Sequence, residues 1–196
     1  MLCGANAFIP GELRPLEITS CSKCGGELMM PMMLEHFELN SRIAEGGMGT
    51  VYRATDSVLK RDVAIKLMQS ELVEDEEGLE AFYAEARAMA KLNHTNIIHV
   101  YQFGQLKNQL YLVMELALAG RFDQLIDQHR TVSELQVLDV GIKIASALDA
   151  ALKHKLLHRD IKPGNILFNA DNEPKLVDFG LVCKSEAGVD YSEQIW

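Results

Sequence analysis

No stretch of this 196-residue chain holds the ~20 apolar residues that a membrane-spanning helix needs. The opening MLCGANAFIPGELRP lacks the basic head and apolar run of a secretory signal. Basic residues are in deficit: 19 Lys and Arg stand against 28 Asp and Glu, a formal net charge of −9. That balance argues against a surface built to neutralise nucleic-acid phosphates. Neither an internal repeat nor a low-complexity linker interrupts the chain. These absences predict a globular, cytoplasmic protein with no membrane segment and no nucleic-acid partner. With 48% hydrophobic and 24% charged residues, it has material for one domain and a small appendage.

Cysteine is also scarce, occurring at Cys3, Cys21, Cys24 and Cys183. In a reducing compartment a close pair more often binds metal than forms a structural disulfide. CSKCGGELMMP puts Cys21 and Cys24 on one tight turn, and a zinc ribbon needs two such knuckles for a tetrahedral site. Cys3-Gly4 has the form of the end of a second Cys-x-x-Cys-Gly whose first cysteine would precede Met1. Two readings stay open: a partial zinc ribbon with Cys3, Cys21 and Cys24 as Zn²⁺ ligands, or an exposed loop with incidental cysteines. Cys183 reads as a small buried hydrophobe.

Beyond residue 36 the pattern becomes β-like. FELNSRI, TVYRA, DVAIKLM, IIHVYQFG and LYLVME predict an antiparallel sheet. One helix interrupts it in EGLEAFYAEARAMAKL, where Leu79, Phe82, Ala86 and Met89 mark a buried stripe. Glu85 either points along that stripe and needs a cationic partner, or lies solvated at its edge. After Ala119 the chain turns helical. RFDQLIDQH is a short helix, and a longer one has Leu135, Leu138, Ile142, Ala145, Leu148 and Leu152 as its apolar face and a capping box at Thr131 and Glu134. Short strands ILF and KLV follow.

Four motifs carry chemistry. IAEGGMGTVYRATD sets Gly46, Gly47 and Gly49 at a turn between strands, where missing side chains serve the turn alone or let backbone N–H groups approach phosphate oxygens. VAIK places Lys66 within a β-branched strand, as an ordinary surface lysine or, with Glu85 as partner, a fixed ammonium for phosphates. HRDIKPGN brings a base (Asp160), a cation (Lys162) and a metal-binding amide (Asn165) into one short loop. DFG adds a second carboxylate, Asp178, after a strand.

Taken in this order, the four motifs over residues 37–196 resemble the protein-kinase signature set, and their wording is similar to that of bacterial eukaryotic-like Ser/Thr kinases. The resemblance implies an α+β fold with an antiparallel-sheet N-lobe carrying one helix and a partial, mostly helical C-lobe. It divides the chain into a cysteine-containing segment at 1–35, an N-lobe at 36–115, and the hinge with part of a C-lobe at 116–196. It also implies ATP and Mg²⁺ as cofactors and proteins as substrates. Asp160 would orient the acceptor hydroxyl and take its proton, Lys162 would stabilise the transferring phosphoryl group, and Asn165 and Asp178 would hold Mg²⁺. Lys66, paired with Glu85, would hold the α- and β-phosphates. Ile43, Ala44, Glu45, Gly46, Gly47, Met48, Gly49, Thr50 and Val51 would cover the nucleotide. Adenine would lie against Val51 and Ala64 and bond the hinge from Glu115 to Ala117, with Met114 as gatekeeper. Arg159 resembles the arginine that pairs with a phosphorylated activation loop, for which Ser185, Tyr191 and Ser192 are available.

The chain departs from the family pattern in two places. Ala44 stands where the first loop glycine is expected, and the Ala-Pro-Glu that follows DFG in the pattern is not in this sequence. The second departure predicts exposed apolar surface on the long helix. Two non-enzyme alternatives remain: a kinase-like nucleotide-binding or scaffold module, and a zinc-ribbon interaction protein with a vestigial kinase portion.

Overall fold

The computed structural model describes residues 13–47, 49–68, 79, 80, 83, 86, 87, 89–129 and 132–179. The chain divides into two compact units, one formed by Met1–Ser70 and His99–Ala117, the other by Glu71–Ile98 and Leu118–Trp196. Strands dominate the first and helices the second, an α+β architecture.

The first unit is built on a six-stranded antiparallel sheet in the order β3-β4-β5-β6-β8-β7. Its strands are β3 (Met32–Leu34), β4 (Phe37–Gly46), β5 (Gly49–Asp56), β6 (Arg61–Met68), β7 (Val100–Leu106) and β8 (Gln109–Met114). The five runs read as β-like each form a strand, and β3 adds a sixth at the edge beside β4. Side chains alternate across a pleated strand, so residues paired across β5, β6 and β8 share a face. Tyr52, Ile65 and Val113 are aligned in this way, as are Val51, Lys66 and Leu112 one step along. The Tyr52 face is the apolar core, with Phe37, Leu39, Ala54, Val63, Ile65, Leu67, Tyr111 and Val113 packed together.

A separate hairpin of β1 (Ile18–Ser20) and β2 (Glu27–Met29) packs on that core. Met29 is buried within it, and Leu16, Ile18 and Met32 lie against it. The β5–β6 turn is held by Asp56, whose buried carboxylate accepts N–H bonds from Val58 (3.0 Å) and Leu59 (2.8 Å). Chiefly the Leu59 N–H, then the Val58 N–H, and behind them the neighbouring His36 and Arg61, hold that carboxyl below the usual range.

In the second unit, Leu79, Glu80, Tyr83, Ala86, Arg87 and Met89 are helical, and Ala86 and Met89 are buried as the spacing predicts; Phe82 lies outside the described residues. Helix α1 spans Phe122–His129 and helix α2 spans Glu134–Lys153. A 3-10 turn at Pro163–Asn165 leads into β9 (Ile166–Phe168), which pairs antiparallel with β10 (Pro174–Leu176). The segment before Ile98 is clamped to β10. The Asn96 side chain donates to the Pro174 carbonyl (2.9 Å), and Leu176 exchanges backbone bonds with Asn96 and Ile98.

Helix α2 corrects the sequence reading twice. Its cap is Ser133, whose hydroxyl accepts from the Gln136 N–H; Thr131 lies outside the described residues, and Glu134 is the first helical residue rather than a partner three places in. Its buried stripe is Val140, Ile144, Ala147 and Ala151. Leu135, Leu138, Ile142 and Leu152 are 79, 59, 69 and 58% exposed, and Ala145 is exposed with them. The helix carries two apolar stripes at helical spacing, and periodicity alone cannot say which one finds a partner. Among the described residues, no helix is long and apolar enough to cross a membrane.

Candidate active site

The first unit positions its share of the site by strand register. Lys66 sits on β6 between Val51 of β5 and Leu112 of β8, and Ala64 lies between Arg53 and Met114. Val51, Ala64, Lys66 and Met114 therefore occupy one face of the sheet, opposite the core. Lys66 is 5% exposed, which removes the surface-lysine reading. Its expected partner Glu85 lies outside the described residues.

The glycine turn closes the β4–β5 ribbon, with Gly46 opposite Gly49. Ile43, Ala44, Glu45, Gly46 and Gly47 are all exposed along it, and Met48 lies outside the described residues. Gly49 is where glycine is obligatory. Its φ is +140°, and a Cβ there would stand 2.0 Å from the Leu67 carbonyl oxygen. The backbone of β5 thus runs against β6 closer than any side chain permits. Shifts of register between Leu39 and Ser41 and between Arg42 and Ala44 mark bulges, which bend and twist a ribbon. At the other end of this face, the Glu115 N–H donates to the His99 carbonyl at 2.8 Å, fixing the start of the Glu115–Ala117 segment; Ala117 is buried.

The second unit positions its share by hydrogen bonds inside one loop. Asn165 is buried in the 3-10 turn, and its Nδ2 donates both to the Asp160 carbonyl (2.7 Å) and to Asp160 Oδ2 (2.9 Å). Lys162 Nζ lies 2.8 Å from the same Oδ2. The Lys162 ammonium first, and the Asn165 amide second, hold the Asp160 carboxyl below the usual range, so it is ionised at neutral pH. With its amide nitrogen engaged, Asn165 presents Oδ1 as an acceptor. The loop is tied to the DFG segment by the Val177 N–H, which donates to the Asn165 carbonyl (3.0 Å).

Sequence spacing gave no role to His158, which the structure shows to be the loop's anchor. Its ring is 3% exposed. Nε2 is 2.8 Å from the Val177 carbonyl, and the Asp160 N–H donates to Nδ1 at 3.3 Å. A carbonyl can only accept, so Nε2 carries the proton. The ring also packs on Phe179 with centroids 4.8 Å apart. One buried imidazole thus links the backbone of Asp160 to the residues on either side of Asp178. Arg159 and Asp178 hold left-handed backbone, with φ of 62° and 55°. Non-glycine residues adopt that region at a cost and where surroundings impose it. Here the buried neighbours His158 and Phe179 impose it, leaving Asp178 exposed.

The donor chemistry suits Mg²⁺, which takes hard oxygen ligands from one or two carboxylates and amide carbonyls: Asp178 offers a carboxylate and Asn165 its Oδ1. Of the expected zinc ligands, Cys21 is buried and Cys24 exposed, while Cys3 lies outside the described residues, as do Cys183, Ser185, Tyr191 and Ser192. Among the described residues, no three His, Cys, Asp or Glu side chains cluster as a metal site.

The family model for the protein kinase domain matches residues 37–195. Among curated proteins, the serine/threonine-protein kinase PknL of Mycobacterium tuberculosis is 41% identical over 144 residues, covering 74% of this chain and 36% of its own length. The probable serine/threonine-protein kinase PknB of Lactococcus lactis is 34% identical over 148 residues, covering 75% of this chain and 24% of its own length. The chain therefore spans about a third or less of these relatives. A crystal structure of the Mycobacterium tuberculosis PknI kinase domain superposes with a TM-score of 0.68 at 26% identity, covering 78% of this chain and 62% of that one.

Proposed function

Because the chain belongs to the protein kinase family, we propose that it carries the phosphoryl-transfer machinery of a bacterial Ser/Thr protein kinase, taking ATP as donor and serine or threonine hydroxyls of protein substrates as acceptors. The carrying observation is the Asp160–Lys162–Asn165 cluster, where an ammonium and an amide converge on one carboxylate oxygen. That carboxylate is ionised and partly exposed, as a group that orients a hydroxyl and accepts its proton must be.

In this reading Asp160 aligns the acceptor hydroxyl and receives its proton, while Lys162 moves from Asp160 Oδ2 to the charge developing on the transferring phosphoryl oxygens. Asn165 and Asp178 hold Mg²⁺, which when bound neutralises phosphate charge. Lys66, held by Glu85, fixes the α- and β-phosphates as a point charge. The loop from Ile43 to Val51 covers the nucleotide through backbone N–H groups, and Val51, Ala64, Met114 and the Glu115–Ala117 segment receive the base. Phosphoryl transfer asks little covalent work of a protein, so positioning and electrostatics supply the rate. Residues 36–115 serve as the N-lobe and 116–196 as the hinge and C-lobe portion, with 1–35 an appended cysteine-containing element open to Zn²⁺. The setting is the cytoplasm, and the partners are proteins rather than nucleic acid.

The test is transfer of label from γ-labelled ATP, with Mg²⁺, to a mixed set of serine, threonine and tyrosine peptides, alongside the Asp160→Asn variant. Label on serine and threonine, absent in the variant, is the expected result. Nucleotide binding with no transfer by the unaltered protein would move the assignment to a non-catalytic nucleotide-binding module.

A further inference from the structure

The cleft where α1 meets the start of α2 contains none of the residues assigned to phosphoryl transfer, and it encloses about 420 Å³. Every described residue lining it belongs to the second unit. Phe122 of α1, Val140 of α2 and Phe168 of β9 are its buried floor, with the two phenyl rings edge to face at 6.3 Å. Leu125 is half-buried on the α1 side, and Leu135 on the α2 side is 79% exposed. Open apolar surface beside a cleft of ligand size is a place for a partner's apolar side chain.

The polar groups around the cleft narrow the partner's chemistry. Gln124 Oε1 accepts the Arg121 N–H (3.3 Å), and Gln136 Oε1 accepts the Ser133 hydroxyl (3.2 Å). Both amides therefore keep their N–H donors for a ligand, one from each helix, and the carbonyls of an extended chain are acceptors that suit them. Charge is one-sided as well. Arg121 is bonded to Asp123 through Nε and Nη2, with the Asp127 carboxylate adding a second negative charge beside it. Lys143 Nζ stands between Asp139 (3.0 Å) and Glu173 (3.1 Å). At both places two carboxylates share one cation, so among the described residues the cleft's surroundings are left negative and attract basic groups.

We propose that this cleft docks an extended segment of a protein substrate, with an apolar side chain on the Phe122–Phe168 floor and Lys or Arg on either side of it, apart from the hydroxyl that receives phosphate. The occupant's identity as a substrate rests on the phosphoryl-transfer reading; the binding itself does not. β9, which supplies Phe168, continues directly from the turn that holds Asn165. A Cβ on Gly164 in that turn would stand 3.3 Å from Asp123 Oδ2, so α1 abuts the loop of Asp160 directly. A chain seated in the cleft is carried by the same unit as Asp160, and tethering raises the effective concentration of its acceptor hydroxyl there. A contact made equally before and during transfer lowers KM and leaves kcat unchanged.

The experiment applies the whole chain, without ATP, to an arrayed peptide set whose central residue is leucine, alanine or aspartate and whose flanks are arginine, glycine or glutamate. Leucine peptides with arginine flanks should bind at least about tenfold more tightly than those with an alanine centre or glutamate flanks. Leu135 and Asp139 are exposed, so Leu135→Asp and Asp139→Lys leave packing intact, with circular dichroism as the check on folding. The first should abolish binding, and the second should move the preferred flanks from arginine toward glutamate. Two serine substrates, one with the leucine–arginine segment attached and one without, supply the kinetic readout. Leu135→Asp should raise KM for the first about tenfold at unchanged kcat and leave transfer to the second as it was. The inference is overturned if the unaltered chain shows no preference for arginine-flanked leucine, or if that preference survives both substitutions. Concentration-dependent dimers that Leu135→Asp abolishes would also overturn it, by making the cleft a contact between copies. Binding with the expected pattern but no phosphoryl transfer supports the cleft as a peptide site and removes the phosphoryl-transfer reading instead.

Discussion

Lys66 and Asp160 carry opposite charges and are held in opposite ways. Lys66 is buried in the middle of a sheet, its position set by the pairing of β6 with Val51 on one side and Leu112 on the other. Asp160 is exposed, its position set by two side chains, Lys162 and Asn165, within the same loop. A charge placed by register cannot move without moving three strands. One placed by a few local hydrogen bonds can reorient when a substrate arrives. The first arrangement ties function to stability, and the second separates them.

The largest effect that would sharpen this comparison is kinetic. Replacing Asp160 by Asn removes the proton acceptor and should cut phosphoryl transfer by about 10²–10⁴-fold, measured as initial rate at saturating ATP, while the denaturant midpoint stays where it was. A parallel fall in stability would show that the loop is not the separable element its hydrogen bonds suggest. The sheet should behave differently. A Gly49→Val substitution drives a side chain into the Leu67 carbonyl and should cost about 3 kcal/mol, strain and overpacking together, read by urea denaturation. Nucleotide affinity should fall in the same variant, because Gly49 and Lys66 lie on the paired strands β5 and β6. Unchanged stability with weakened binding would break the contrast.

Next in size is a test on α2, whose two apolar stripes differ only in what covers them. Ile144 is buried and Ile142 is 69% exposed. Truncating Ile144 to Ala should cost about 2 kcal/mol or more, and Ile142→Ala under about 0.5 kcal/mol. Equal losses would mean that the second stripe is covered in solution.

That helix also shows what the sequence could and could not disclose. The strands from β4 to β8 were legible because their alternation is bounded by turns and glycines, and the loop from His158 to Asn165 was legible because its residue types are rare at that spacing. Which stripe of α2 is buried was not legible, since Leu135, Leu138 and Ile142 satisfy the period as well as Val140, Ile144 and Ala147 do. Its start was misread for a related reason. Thr131 and Ser133 are both acceptable caps, and the choice depends on the backbone path. The role of His158 was hidden because it depends on a backbone carbonyl, Val177, nineteen residues on, and no local pattern encodes that. The packing of Met29 on the sheet was hidden likewise, being a contact between a short hairpin and a face that only the register of five other strands defines. The cap can be tested simply: Ser133→Ala should cost about 1 kcal/mol, and Ser133→Asp, which keeps an acceptor for the Gln136 N–H, should cost less.

The smallest expected effect is a displacement rather than a loss, and it bears most directly on how Asp160 is held. Its carboxyl is depressed chiefly by the Lys162 ammonium and then by the Asn165 amide. A depressed carboxylate stays ionised, and so able to accept a proton, at pH values where an ordinary one would be neutral. Activity should therefore persist on the acid side until the pH falls below the usual carboxylate range. The same sign governs stability: the contribution of this pair is complete above the ordinary value of 3.8 and is lost as the pH falls through the lower folded-state value. Exposure to solvent screens that contribution, so kinetics are the better readout. Lys162→Met removes the first cause and leaves the second. The acid limb of its rate profile, normalised to its own maximum, should shift toward higher pH, and by less than if Asn165 were removed as well. A limb that stays in place would mean that Lys162 does not hold the Asp160 carboxylate in solution, and that the loop's charge is set by the buried amide alone.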